Sequence, residues 1–203
     1  MSGLADSKIW GPYVWYFIHQ VAFRLPHTTN TLTPTTRKYL NSFYLTIRWL
    51  LPCPSCQKHY GWTLSKFPIS SYYTSGLKMS KWTIIAHNLT NKGLNSLGDG
   101  PPKKIYKYAD AKKLYLSPGG EHSKLDHSKL AAFIQIMLVN SNDKPLSNRK
   151  SVATCVANLY PCFKCRKRLQ NFISENSLSN VKSSSSMQEW AKRFRSVALQ
   201  KCT

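Results

Sequence analysis

The sequence predicts an all-α protein on three observations. Apolar residues recur at three- to four-residue spacing, prolines and small polar residues stand where helices would begin, and one helical pattern returns later in the chain. Strand-like alternation is poor throughout. A chain of 203 residues can bury one medium core or two small ones, and its 42% hydrophobic and 12% aromatic content marks a packed globule.

In the first element Trp10, Val14, Phe17, Ile18 and Val21 keep helical spacing, with Pro12 placed in a first turn that does not need its N–H. Thr33-Pro34 is a cap and first-turn pair ahead of Tyr39, Phe43, Ile47 and Leu50. A third, short helix is expected from about Pro54, and a fourth from about Ser80 carrying Trp82, Ile85 and Leu89. Residues 95–120 read as loop, with "NSLGDGPPKK" and "SPGG" as turns and a short helix at 109–116. Helices resume at about 124–140, 147–160, 162–176 and 187–200, the last with a capping box from Ser186 and Glu189.

The second half repeats the first. "YPCFKCRKRLQNF" (160–172) lies under "LPCPSCQKHYGWT" (51–63), "AAFIQIML" (131–138) under "WYFIHQVA" (15–22), and Trp190 answers Trp82. Two four-helix units are expected, 1–120 and 121–203.

Lys and Arg number 29 against 8 acidic residues, a net charge of +21. That field attracts nucleic acid, anionic lipid and acidic protein surfaces, but no run of five like charges marks a dedicated tract. "MSGLADSKIWG" lacks a signal-peptide pattern and no apolar segment reaches membrane-spanning length, so neither secretion nor a membrane span is expected. The cysteines are therefore expected in a reducing compartment, where a C-x-x-C pair is usually catalytic or metal-binding.

Cys53 and Cys56, followed by His59, can ligate zinc, exchange disulfides or form a structural bridge. A four-cysteine zinc site would need Cys162 and Cys165, over a hundred residues away. A thioredoxin-like domain needs a βαβ pattern, and none is visible. Pro54 and Ser55 place Cys53 just before a helix and Cys56 in its first turn, where the helix dipole favours thiolate. In "HNLTN" (87–91) His87 and Asn91 share a helix face beside Asn88, and Trp15 and His19 share one on the first helix. Stacking faces, an apolar slot and a few donors and acceptors are what a buried planar cofactor needs, although each residue alone is an ordinary core residue.

Together "WGPYVWYFIH", "LPCPSC" and "HNLTN", in this order and spacing over residues 8–116, resemble the Erv/ALR family of flavin-dependent sulfhydryl oxidases. Pro26 also fits, and His59 after the C-x-x-C resembles the viral members. The resemblance implies a four-helix bundle holding FAD, with Cys53 meeting thiol-containing protein substrates and Cys56 facing the flavin. Oxygen would then accept the electrons and yield hydrogen peroxide. It further implies that Gly11, Trp15, His19, His59, His87, Asn88 and Asn91 hold FAD, and that Lys103 or Lys104 meets its phosphates. The chain departs from the family in having Arg24 where an aromatic is common, a longer loop after HNxxN, and no cysteine in 92–130.

In the second half Gln135 replaces His19, Ala131 replaces Trp15, Arg195 replaces His87 and Ser196 replaces Asn88. This unit is expected to be a degenerate Erv-like bundle without flavin, packed on the first as a pseudo-dimer, similar to the quiescin and baculoviral oxidases. Cys162 and Cys165 are expected to form a structural bridge rather than a shuttle, Cys155 a buried thiol, and Cys202 a mobile or intermolecular one. The resemblance places the protein in the host cytoplasm or nucleus, or packaged in a virion, and leaves a homodimer open. No resident metal is expected. The rival reading is a structural or nucleic-acid-binding virion protein whose C-x-x-C pairs are zinc ligands or relics, consistent with the basic charge and testable by salt-dependent DNA binding.

Overall fold

The computed structural model describes residues 6–28, 32–98 and 101–200, which contain helices and turns and no strand. Helix α1 (Ser7–Phe23) begins a turn earlier than Pro12 suggested, because the Asp6 carboxylate accepts the Lys8 N–H at 2.8 Å. Pro12 therefore sits inside the helix and leaves the Lys8 carbonyl without its usual donor. Thr33 caps α2 (Pro34–Leu50), its hydroxyl accepting the Thr36 N–H at 3.1 Å. Cys53 caps α3 (Pro54–Lys66) through its own sulfur.

Helix α4 (Gly76–Ser96) starts four residues before the expected Ser80, because the Ser75 hydroxyl accepts the Lys78 N–H there. Gly76 is required at that point. Its N–H donates to the Pro26 carbonyl at 2.8 Å, and a Cβ would stand 2.5 Å from the Leu25 carbonyl oxygen. A short α5 (Tyr108–Leu116) falls where the loop reading placed one.

Asp126 caps α6 (His127–Ile134), which starts later than expected and widens into a π turn at Gln135–Val139. The guanidinium of the fully buried Arg149 donates to the Leu138 carbonyl freed there, at 2.7 Å, and to Ser184. Helices α7 (Leu146–Leu159), α8 (Phe163–Glu175) and α9 (Ser184–Leu199) complete the fold. The last capping box is Ser183 with Ser186, not Ser186 with Glu189, and Glu189 instead pairs with Lys192.

Helices α1 and α2 pack against α6 and α7. Residues matched by the sequence repeat touch each other across this junction. Phe17 stacks on Phe133 at 4.0 Å, and the Ser42 and Ser151 hydroxyls lie 3.1 Å apart. Self-pairing of equivalent residues is the signature of a two-fold arrangement. The same local devices recur in both halves. Cys53 and Cys162 cap α3 and α8, and a 3₁₀ turn follows each of these helices, at Ile69–Ser71 and Leu178–Asn180. The Trp82 and Trp190 indoles each donate to the carbonyl that ends the cysteine-capped helix, Phe67 and Asn176. No described helix is long and apolar enough to cross a membrane.

Candidate active site

A cavity of about 810 Å³ opens between α1, α3, α4 and the 103–122 segment. That volume lies within the range of small-molecule and cofactor sites. Gly11, Trp15, His19, Cys56, His59, His87, Asn91 and Lys104 all line it, so the structure brings together residues drawn from three separated motifs. Asn88 and Cys53 do not line it.

The two histidines are joined in a directed chain. The Thr83 hydroxyl donates to the Ser80 carbonyl at 2.9 Å, so it accepts from His19 Nδ1 at 3.0 Å. His19 Nε2 must then accept from His87 Nδ1 at 2.9 Å, which leaves His87 Nε2 as an open acceptor. Trp15 stacks on His87 at 4.3 Å with rings nearly parallel. Burial holds His19 well below the ordinary histidine range, with the neighbouring His87 and His122 adding to it. Burial also brings His87 down to about 4, so both rings are neutral at pH 7.

Asn88, expected to touch the cofactor, does something else. Its amide donates to the Tyr106 carbonyl at 2.8 Å and accepts the Tyr106 N–H at 2.9 Å. On the same face of α4, Asn91 donates to the Lys104 carbonyl and Asn95 binds the Lys103 backbone. Three asparagines thus form a rail that holds the backbone of residues 103–106, with Lys103, Lys104 and Tyr106 in the cavity wall. Their spacing of three and four residues is a signal that the sequence carried. Tyr115 and His122, also at the cavity, come from a region read only as loop and short helix.

Cys53 and Cys56 are both free thiols, half-buried at the start of α3. Cys53 Sγ accepts the Cys56 N–H at 3.2 Å and lies 2.9 Å from the Ser55 hydroxyl. Burial raises the Cys53 thiol, but hydrogen bonds from Cys56 and Ser55 outweigh it and the net shift is downward. Burial pushes Cys56 up to about 12, with the hydrogen bond and charge of Cys53 adding to it. The dithiol therefore ionises at Cys53 and keeps its proton at Cys56.

Two buried polar atoms of the lining, Trp10 Nε1 and Tyr60 Oη, have no hydrogen-bond partner. Together with Lys8, Lys103 and Lys104 at the rim and the open His87 acceptor, they suit a planar ligand that carries polar edges and phosphate. The chain has no Arg24 contact to offer here: that side chain donates to Gln20 and to the Ser123 carbonyl instead.

In the second half, Ala131, Gln135 and Arg195 do not open an equivalent space. A cavity of about 200 Å³ remains, with Gln135 and Arg195 against Trp10 and Tyr13 of α1. Cys155 is a buried thiol, and Cys202 lies outside the described residues. Cys162 was expected to bridge to Cys165, yet it is a free thiol while Cys165 is disulfide-bonded. Cys162 and Cys165 group with His127 as metal-capable atoms, and among the described residues Cys53 and Cys56 join no such group. A zinc site uniting both C-x-x-C pairs is thereby excluded among the described residues.

Residues 12–107 match the Erv1/Alr family model. A probable FAD-linked sulfhydryl oxidase of Acanthamoeba polyphaga mimivirus is 35% identical over 85 residues, covering 40% of this chain and 56% of that protein. The chain thus spans little more than half the length of the curated relative it matches. No solved structure matches significantly.

Proposed function

We propose that the Erv1/Alr domain formed by residues 12–107 makes this chain a FAD-linked sulfhydryl oxidase that forms disulfide bonds in protein substrates. The observation that supports this best is the placement of the cysteine pair: Cys56 lines the large cavity and Cys53 stands outside it, half-exposed. One sulfur can meet a protein thiol while the other faces a bound planar group.

In the oxidised pair, a substrate thiolate attacks Cys53 Sγ, the Cys53–Cys56 bond breaks, and Cys56 leaves as thiolate. Once Cys53 is bonded to substrate its charge and hydrogen bond no longer hold the Cys56 proton, and only burial still does. A second substrate thiolate attacks the substrate sulfur of the mixed disulfide, releasing substrate disulfide and the Cys53–Cys56 dithiol. FAD held in this cavity would supply a two-electron acceptor, returning the dithiol to the Cys53–Cys56 disulfide with loss of two protons and passing the pair to oxygen as hydrogen peroxide. Trp15 and His87 would hold the ring system, the neutral histidines its polar edge, and Lys103 and Lys104 its phosphates. Residues 103–106 keep their place through the asparagine rail.

Residues 121–203 are a degenerate second copy in this reading, packed on the first as an internal pseudo-dimer that covers the α1–α2 face. The chain then needs no homodimer through that face. A large-virus setting in the host cytoplasm or nucleus, and acidic protein or DNA neighbours answering the +21 charge, complete the proposal.

The test is oxygen uptake with a reduced, unfolded protein as substrate. The chain consumes oxygen and accumulates peroxide, whereas Cys53→Ser and Cys56→Ser each abolish turnover while retaining FAD. Undiminished turnover in either variant would refute the assignment.

A further inference from the structure

One wall of the large cavity comes from outside the family-matched segment. Glu121, His122 and Lys129 line it, and all three lie beyond residues 12–107, in the half of the chain expected to take no share in holding a cofactor. They reach the cavity because residues 122–126 are strapped to α1 at three points. The Gln20 amide donates to the His122 carbonyl at 2.8 Å, and the Arg24 guanidinium donates to the Ser123 carbonyl at 2.7 Å. The Asp126 N–H donates to the Tyr16 hydroxyl at 2.8 Å. Arg24 also donates to the fully buried Gln20, so these two side chains act as one clamp. The His122 ring then fills the corner between Tyr16, met edge-on at 5.4 Å, and Tyr115 at 5.0 Å.

The strap leads directly into α6, whose third residue is Lys129. Its ion-pair partner, Asp126, stands 4.0 Å away, and the two side chains are 40% and 41% exposed, so the pair contributes little. The Asp126 carboxylate is already engaged as the α6 cap, accepting the N–H groups of Ser128 and Lys129. The Lys129 ammonium instead lies 5.3 Å over the ring of Tyr16, which is itself part of the cavity wall. Lys8, Lys103, Lys104 and Lys129 thus line the cavity against a single carboxylate, Glu121. That excess of positive charge suits a ligand carrying more than one phosphate.

We infer that residues 121–129 complete the cofactor cavity, and that Lys129 is a phosphate-binding residue for the dinucleotide it takes. This role rests on the flavin reading of the cavity. Lys129 would bring its charge from α6, whereas Lys103 and Lys104 bring theirs from the segment held on α4 by the asparagines. The second half of the chain therefore does more than cover α1 and α2: loosening the strap opens the cavity and weakens ligand binding. Arg24, a departure from the family pattern, acts here as a positioning residue.

The test is equilibrium titration of the full chain with FAD, followed by fluorescence at low and high salt. Lys129→Gln should weaken FAD binding about tenfold at about 0.05 M salt, and the gap should narrow toward about 0.5 M as the charge contact is screened. Lys129→Arg should keep most of the affinity. Arg24→Ala changes an exposed side chain outside the cavity and should weaken FAD binding about threefold or more. Parental affinity in Lys129→Gln at low salt overturns the phosphate contact, as does a loss that stays the same at high salt. Full affinity in Arg24→Ala overturns the strap. An unsubstituted chain that binds no FAD at either salt refutes the flavin reading itself, and Lys129's role with it.

Discussion

Acidification should weaken this fold through His87, whose burial lowers its pKa to about 4. In the unfolded chain a histidine titrates near 6.5, whereas folded His87 does so at about 4. Between these values the unfolded state holds more protons, so stability falls as pH falls and levels off only below about pH 4. The loss from His87 is about 1.4 kcal/mol at pH 5.5 and about 2.6 kcal/mol at pH 4.5, against a typical total of about 5–15 kcal/mol. His19 shifts in the same direction and adds to the slope. Urea denaturation of the chain and of His87→Gln, without added FAD at pH 8, 5.5 and 4.5, isolates the His87 part as the change in their difference. A difference that stays constant across this range would show that His87 is not buried neutral, and the directed Thr83–His19–His87 chain would fall with it.

Gly76→Ala should destabilise the fold by about 1–3 kcal/mol, because the added Cβ meets backbone at Leu25 that cannot swing aside; thermal unfolding measures it, and an unchanged Tm contradicts the close approach. Asn88→Ala removes two hydrogen bonds to Tyr106, each worth about 1 kcal/mol. FAD affinity should fall about tenfold or more by fluorescence titration, although Asn88 lies outside the cavity. Full affinity in that variant would show that the asparagine rail does not position the 103–106 segment.

The helices were legible wherever a cap and an apolar stripe coincided. Thr33-Pro34 and Cys53-Pro54 place α2 and α3 to the residue, because both terms are local in sequence. Boundaries set by tertiary contact were not. Ser75 starts α4 early because Gly76 must reach Pro26, and the π turn depends on Arg149 reaching back across eleven positions. The site divides in the same way. Trp15, His19, Cys56, His87 and Asn91 share helix faces at four-residue or C-x-x-C spacing and converge as their pattern implied. Asn88 faces a backbone segment instead of the cavity, and Tyr115 and His122 arrive from a loop whose path no local signal gives. At the second C-x-x-C, spacing alone misled: the same motif holds a free Cys162 beside a Cys165 bonded elsewhere.

Visible absorption of the purified chain supplied with FAD reads whether the cavity holds flavin against Cys56. A flavin band near-stoichiometric with protein should appear and be bleached anaerobically by dithiothreitol, and in Cys56→Ser the band should persist unbleached. A chain that stays colourless with FAD present, or a bound flavin that bleaches equally fast in Cys56→Ser, would contradict that arrangement.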